Sequence, residues 1–197
     1  MPNLDRPLRL EDYAIVLMPH GGDTLDMRDL SSARPALEAL HLVTRICYHL
    51  FEAYGLAYTD LKATNVLSSS HGLVLCDYGG LALRGTRSGT ATFPPPWSPR
   101  GTDVPADEPC VAYGLGALLV SLVLPYECNR LKYVDCERAS ALADAERLLG
   151  LECKAARAAV TKKDAGLGRV LAAAWRPKAT LRGVYESIEA ELCGALP

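Results

Sequence analysis

Three short polar segments carry the residue types that could do chemistry on a phosphate group. Residues 60–65 read Asp-Leu-Lys-Ala-Thr-Asn, residues 77–79 read Asp-Tyr-Gly, and residues 89–96 read Gly-Thr-Ala-Thr-Phe-Pro-Pro-Pro. The first and last residues of the first segment are five positions apart on a loop, so both side chains can face one cleft. The aspartate of the second segment follows a neighbouring predicted strand and can meet them there.

Phosphoryl transfer requires a small set of polar groups. One carboxylate accepts or orients the proton of the substrate hydroxyl, a second carboxylate and an amide oxygen hold Mg²⁺, and a cation offsets the developing charge. Asp60 can be the first carboxylate, Asp77 and Asn65 can be the metal ligands, and Lys62 can be the cation. Either segment alone is more often an ordinary solvated turn, so the prediction depends on their occurring together and in this order.

The elements that must position these residues are predicted from the spacing of apolar side chains. Residues 13–18 are predicted to form a buried strand, and residues 35–54 show helical spacing that Gly55 ends. Short strands are predicted at 65–67 and 73–76, on either side of a turn-rich segment. The first polar segment therefore lies between a helix and a strand.

The second half of the chain is predicted to be mostly helical. Residues 79–109 are rich in Gly, Ser, Thr and Pro and are expected to form no regular element. Residues 111–124 are apolar on all sides but shorter than the roughly 20 residues of a membrane span, which indicates a helix buried inside the protein. Further helices are predicted at 139–149, 152–162, 167–175 and 180–192.

The amino-acid composition is typical of some classes of protein and excludes others. The chain has 197 residues, of which 49% are hydrophobic and 22% are charged, and its net charge is -2. These values are typical of a globular domain and exclude a disordered chain or a polycation. The near-neutral balance favours neither nucleic acid nor an anionic membrane as a partner. The first residues lack the apolar core of a signal peptide, and seven cysteines without a C-x-x-C pair indicate reduced thiols in an intracellular compartment.

Taken together, the segments resemble the C-terminal lobe of a eukaryotic-type protein kinase over essentially the whole chain. Residues 60–65 resemble the catalytic loop H-R-D-L-K-x-x-N, and residues 77–79 resemble D-F-G. Residues 89–96 resemble the G-T-x-x-Y-x-x-P-E end of the activation segment, and Arg176-Pro177-x-x-Thr180 resembles the R-P-T element before the last helix.

The resemblance implies a fold that is mainly α with short β hairpins, an α+β lobe without most of the N-lobe. Residues 1–20 would be the last N-lobe strand and hinge, and residues 21–197 would be the C-lobe. Within the C-lobe, the implied parts are the catalytic loop 56–67, the activation segment 77–97 and the central buried helix 111–124.

The resemblance also implies the site. Lys62 and Thr90 favour serine/threonine over tyrosine kinases, and in that family the threonine hydrogen-bonds the catalytic aspartate and the lysine. The expected cofactors are ATP and Mg²⁺, and the expected partners are a nucleotide and a protein substrate. The implied nucleotide-binding residues are Leu17, Met18, Asn65, Leu67, Asp77 and Gly79. The interpretation that Leu17 and Met18 simply end a strand remains equally open.

Several positions depart from the kinase pattern. Tyr58 and Thr59 replace the His and Arg of the catalytic loop, so we expect no activation by phosphorylation of the loop. Trp97 replaces a glutamate that would pair with Arg176, which therefore needs another acceptor. Val111 stands where the buried helix usually carries an aspartate that braces the catalytic loop.

The N-lobe parts that hold the ATP phosphates from above are missing from this sequence. No lysine precedes Lys62, and no Gly-rich loop is present, so an attached N-lobe or a partner chain is expected. Two alternatives remain: a catalytically inactive pseudokinase that binds a partner, and a small-molecule kinase of the aminoglycoside, choline or nucleoside type. The departures are similar to those of the conserved herpesvirus tegument kinases. That resemblance implies a location in the cytoplasm or nucleus, with the virion tegument and host nucleus for a viral protein.

Overall fold

The computed structural model describes residues 22–25, 30–69, 72–89, 91–95, 104–124 and 142–194. These residues form an α+β fold in which helices build the core and short antiparallel sheets lie beside them. The helices are α1 Ala33–Tyr54, α2 Glu108–Val123, α3 Leu142–Lys163, α4 Ala165–Ala174 and α5 Leu181–Gly194. The strands are β1 Asp23–Thr24, β2 Leu56–Tyr58, β3 Val66–Ser69, β4 Gly72–Leu75, β5 Leu81–Leu83, β6 Arg87–Ser88 and β7 Val104–Pro105. The predicted mixture of helices and short hairpins is confirmed.

The first helix forms where its spacing predicts it. It begins after Ser32, and Pro35 lies in its first turn. Backbone N–H groups in the first turn have no partner within the helix, so a proline there removes no hydrogen bond. It ends at Gly55, whose φ of 63° lets its N–H turn back to the carbonyl oxygens of Leu50 and Phe51. The predicted helix and its glycine stop are therefore confirmed.

Helix α2 lies in the centre of the core, with every residue from 110 to 120 buried. It begins at Glu108, three residues before the predicted start, because the Asp107 side chain accepts a hydrogen bond from the N–H of Cys110 and Pro109 suits the first turn. Helices α1, α4 and α5 pack around it. No helix among the described residues is long and apolar enough to cross a membrane.

A glycine allows a close contact between α2 and the segment after α4. The Trp175 indole N–H donates to the carbonyl oxygen of Tyr113 at 3.2 Å, and the two rings stack with centroids 5.6 Å apart. A Cβ atom at Gly116 would lie 2.3 Å from the indole nitrogen. The segment after α4 can therefore reach α2 only because residue 116 has no side chain.

The short sheets position the polar segments. Strands β1, β3 and β4 form an antiparallel sheet in the order β1-β3-β4, in which Leu67 lies opposite both Thr24 and Val74. Strand β2 pairs with β5, and β6 pairs with β7. The predicted strands 65–67 and 73–76 are present as β3 and β4 with slightly shifted ends.

Two sequence expectations are wrong. The segment 79–109 was expected to lack regular structure, yet it contains β5, β6, β7 and the start of α2. These strands have two or three residues, too few for a period-two pattern, and they form by pairing with distant segments. The predicted helices 139–149 and 152–162 are one helix, α3, because an internal glycine such as Gly150 costs a helix only about 1 kcal/mol. The predicted strand 13–18 lies outside the described residues.

Substituting Gly116 by Ala should destabilise the fold. The added methyl group would overlap the Trp175 indole, and overpacking of this kind costs about 1–3 kcal/mol. Urea unfolding followed by tryptophan fluorescence measures the change in the free energy of unfolding. Gly194→Ala, which meets no atom within 4 Å, is the matched control and should change this free energy little. Equal stability of the two variants would contradict the close approach at Gly116.

Candidate active site

The carboxylate of Asp60 is the centre of the polar cluster. Lys62 Nζ donates to Oδ2 at 2.8 Å, and Asn65 Nδ2 donates to the same oxygen at 3.1 Å. The backbone N–H of Thr92 donates to Oδ1 at 2.7 Å. Asp60 is only 6% exposed, so these donors replace water that the carboxylate has lost. The structure thus brings together Asp60, Lys62 and Asn65, as the sequence predicts.

The loop that carries Asp60 is held in place by its own backbone and by α2. Residues Ala63–Asn65 form a 3-10 turn in which the Asn65 N–H donates to the Lys62 carbonyl oxygen at 2.9 Å. The Asn65 side chain returns to the carbonyl oxygen of Asp60 at 3.0 Å. Leu61 is buried against Gly114 of α2, where an added Cβ would lie 3.3 Å from the leucine side chain. Apolar packing anchors this loop on α2, where Val111 is itself buried.

Asp77 follows β4 and lies next to the turn that carries Asn65. The Cys76 N–H donates to the Asn65 carbonyl oxygen at 2.9 Å, so the end of β4 and the 3-10 turn are adjacent. Asp77 has φ 58° and ψ 69°, and among the described residues it is the only non-glycine with positive φ. That conformation costs an L-residue free energy and is characteristic of functional turns. It leaves the Asp77 side chain exposed.

Tyr58, at the position of the expected histidine, contributes to holding this turn. Its ring is buried, and its hydroxyl donates to the carbonyl oxygen of Cys76 and lies 3.3 Å from that of Asp77. Burial raises the pKa of Tyr58, partly offset by a hydrogen bond with Asn65, so the hydroxyl stays protonated and remains a donor. The neutral tyrosine therefore positions the backbone on both sides of Cys76.

A close contact between two backbones joins the two aspartate segments. A Cβ atom at Gly80 would lie 2.8 Å from Asp60 Cβ and 3.1 Å from its backbone nitrogen. The N–H of Thr59 donates to the Gly80 carbonyl oxygen at 2.8 Å. Gly79 is also close to the site, because a Cβ there would lie 3.3 Å from Asp77 Oδ1. Sequence reasoning missed Gly80 and Thr92, although the paired glycines after Asp77 were a visible signal of close backbone approach.

The electrostatics favour the ionised form of Asp60. Burial alone would raise the pKa of this carboxyl group, but hydrogen bonds from Lys62 and Thr92 outweigh burial and hold the pKa below its ordinary value. Lys62 and Asn65 donate to Oδ2, and Thr92 donates to the carboxylate through both its backbone N–H and its side chain. Since the two carboxylate oxygens offer about four lone-pair sites, a substrate hydroxyl that binds Asp60 would take the place of one of these donors.

The donor set suits a Mg²⁺ ion that arrives with phosphates. Asn65 and Asp77 offer a carbonyl and a carboxylate oxygen, which are the hard ligands that Mg²⁺ prefers. Within the described ranges, no group of three or more His, Cys, Asp or Glu side chains converges on one point. Mg²⁺ at nucleotide sites is usually held by one or two protein carboxylates together with phosphate oxygens. Asn65 and Asp77 therefore fit a metal–nucleotide complex better than a metal bound by protein alone.

The remaining predicted site residues have different outcomes. Leu67 lies in β3, half-buried, opposite the 44% exposed Val74, so the sheet offers an apolar surface close to Asn65. Arg176, expected to need a new acceptor, donates from Nε to the carbonyl oxygen of Ala172 at 3.1 Å. The other predicted residues lie outside the described ranges: Leu17, Met18, Thr90 and Trp97.

Comparison with known proteins identifies no relative. No protein-family model matches the chain, and no curated protein is significantly similar to it. The assignment of function therefore depends on the geometry of the site.

Acid titration should reveal the stabilisation of the Asp60 carboxylate. The pKa of Asp60 is lower in the folded protein than in the unfolded protein, where it is about 4. The ionised carboxylate therefore stabilises the fold fully at pH values above about 4. This stabilisation is lost as the pH falls through the pKa of the folded protein. The difference in unfolding free energy between the wild type and Asp60→Asn should therefore shrink on acidification below about pH 4. Chemical denaturation at several pH values measures this difference.

The exposed carboxylate of Glu38, altered by Glu38→Gln, is the control for that titration. A difference between wild type and Asp60→Asn that stays constant with pH would show that the folded carboxylate is not stabilised.

Substituting Gly80 by Ala should displace Asp60. Its methyl group would overlap Asp60 Cβ, and the backbone of one segment must move to accommodate it. We expect the amide NMR signal of Thr92 to shift, since its N–H donates to Asp60 Oδ1, and stability to fall by about 1–3 kcal/mol. Gly194→Ala is again the control. An unchanged Thr92 signal would contradict the coupling between Gly80 and Asp60.

Proposed function

We propose that this chain is the catalytic lobe of a serine/threonine protein kinase, which transfers a phosphoryl group from Mg-ATP to protein hydroxyls. The observation that carries the proposal is the ionised Asp60, held by Lys62, Asn65 and Thr92 beside the turn that carries Asp77. Phosphoryl transfer uses a carboxylate beside the attacking hydroxyl, metal ligands on the phosphates and a nearby cation, and these residues supply each group.

Each residue has a role in the proposed transfer. Asp60 Oδ1 accepts the hydrogen bond of the attacking hydroxyl and orients its oxygen. Lys62 donates to Oδ2 and is 29% exposed, so its ammonium group can also reach the transferred phosphate. Asn65 and Asp77 would hold Mg²⁺, which neutralises charge on the phosphates when it is bound. The low pKa of Asp60 suits a group that orients the hydroxyl more than it withdraws the proton.

The segment near Thr92 supports a protein substrate. Ala91, Phe93, Pro94 and Pro95 are buried, and the Thr92 N–H contacts the proposed catalytic carboxylate directly. An ordered stretch of backbone therefore borders the carboxylate on one side, where an extended peptide could lie against it. A small-molecule kinase would not need this segment.

The architecture supports the finer fold assignment in the same proposal. Helix α2 lies in the centre of the core and supports the loop of Asp60, as expected for the central helix of a kinase C-lobe with catalytic loop 56–67 and activation segment 77–97. The proposed activity is that of a lobe that acts together with an N-lobe or a partner chain, as the sequence resemblance implies. The similarity to herpesvirus tegument kinases stays a prediction.

A non-catalytic interaction module is the second candidate. It is favoured by the hydrogen bonds that both oxygens of Asp60 already accept within the protein, as a purely structural carboxylate would. The two candidates differ in nucleotide binding and in the effect of changing Asp60.

The test uses the native product that contains these residues, isolated with an antibody to the C-terminal residues. Phosphotransfer from labelled ATP is measured with a mixture of proteins and with free nucleosides and choline as acceptors. We expect Mg²⁺-dependent labelling of serine or threonine, and we expect Asp60→Asn to reduce the rate by a factor on the order of 100–10,000. Glu38→Gln, on the exposed face of α1, should retain the wild-type rate.

Three outcomes would overturn the proposal. Labelling of nucleosides or choline alone would assign a small-molecule kinase. An undiminished rate for Asp60→Asn would remove the assigned role of that carboxylate. The absence of labelling of every acceptor would assign the interaction module.

A further inference from the structure

We propose that the buried hydroxyl groups of Thr59 and Ser88 form a positioning pair that holds the Asp77 turn against Asp60 without any covalent modification. This inference rests on the proposed kinase function and assigns to two residues the assembly of its site. Neither residue would touch substrate or cofactor. Both would act through the backbone of Gly80, which contacts Asp60 and accepts hydrogen bonds from Thr59.

Thr59 makes two hydrogen bonds to the Gly80 carbonyl oxygen. The Thr59 N–H donates to this oxygen at 2.8 Å, and the Thr59 hydroxyl lies 3.1 Å from it. Two donors from one residue therefore fix the position of the Gly80 carbonyl group. Because Gly80 directly follows residues 77–79, this contact also limits where Asp77 can lie.

Thr59 also contacts Ser88 through its hydroxyl group. The two hydroxyl oxygens are 2.7 Å apart, and each residue is 4% exposed. Thr59 has a single hydroxyl proton, which cannot be donated both to Gly80 and to Ser88. A consistent arrangement has Thr59 donating to the Gly80 carbonyl oxygen while Ser88 donates to Thr59. Removing the Ser88 hydroxyl would then free Thr59 to rotate away from Gly80.

These hydrogen bonds reach the proposed catalytic carboxylate through Gly80. Gly80 is in such close contact with Asp60 that a Cβ there would lie 2.8 Å from Asp60 Cβ. Ser88 belongs to β6, where it pairs with Val104 of β7. The pair thus joins three segments: the loop that leads into Asp60, the segment after Asp77, and the β6–β7 sheet. A shift of Gly80 must move Asp60 or Asp77 relative to the other.

The consequence is a site assembled by neutral groups. Thr59 stands where the kinase pattern has an arginine, and a hydroxyl cannot form the charged, bidentate contacts by which an arginine binds a phosphate. The Ser88 hydroxyl is too buried in this conformation for a modifying enzyme to reach it. The pair should therefore hold the turn without phosphorylation of Thr59 or Ser88.

The test is a double-mutant cycle in the native product, built from Thr59→Val and Ser88→Ala. We expect each single variant and the double variant to lose kcat by a similar factor, on the order of 10–100, because misplaced reacting groups lose rate. We expect KM for Mg-ATP to change less than about threefold, which separates positioning from binding. Thr59→Ser keeps the hydroxyl and should restore most of kcat.

Thr86→Val is the matched control, because the exposed Thr86 hydroxyl makes a local bond to the Leu83 carbonyl oxygen within a turn. Additive losses in the cycle would contradict the proposed pair. Failure of Thr59→Ser to restore kcat would also contradict it.

Hydrogen exchange separates failure of this inference from failure of the proposed function. If the wild type shows no phosphotransfer, the kinase proposal fails, and the pair is judged by exchange of the Thr59 amide, which donates to Gly80. Faster exchange in Thr59→Val and Ser88→Ala, but not in Thr86→Val, supports the pair independently of activity. Unchanged exchange in both variants overturns it whatever the activity of the wild type.

Discussion

A carboxylate removed from water must find hydrogen-bond donors inside the protein, and Asp60 sets this requirement for its surroundings. Its donors come from an ammonium group, an amide and a backbone N–H, and they belong to positions as far apart as Lys62 and Thr92. Satisfying them brings the 3-10 turn and the segment at 91–95 to one place. The ionised state of Asp60 and the arrangement of its neighbours are thus consequences of one constraint.

Helix α2 supplies the surface on which this arrangement rests. A helix apolar on all sides can lie only in the centre of a core, and its glycines let other segments approach its backbone. Leu61 of the Asp60 loop packs against Gly114, and Trp175 from the segment after α4 packs against Gly116. The loop is therefore positioned by apolar packing, in a core that also contains the buried Val111.

Neutral hydroxyl groups hold the backbone beside the two aspartate segments. Tyr58 donates to the carbonyl oxygen of Cys76, and Thr59 holds the Gly80 carbonyl oxygen and contacts Ser88. Buried hydrogen bonds of this kind fix the positions of the backbone segments that they join, provided that every buried donor and acceptor has a partner. Neutral groups therefore make the supporting contacts around the cluster of Asp60.

The sequence by itself determined features with a local cause: helix α1 and its Gly55 stop, the buried nature of α2, the β3–β4 hairpin, and the grouping of Asp60, Lys62 and Asn65 within one loop. Their signals are helical spacing, turn residues and short separations along the chain. Only the tertiary structure decided what depends on distant partners. The two- and three-residue strands, the Thr92 bond to Asp60 and the contact between Gly80 and Asp60 have no local periodicity, because each arises from packing between segments that are separate in the sequence.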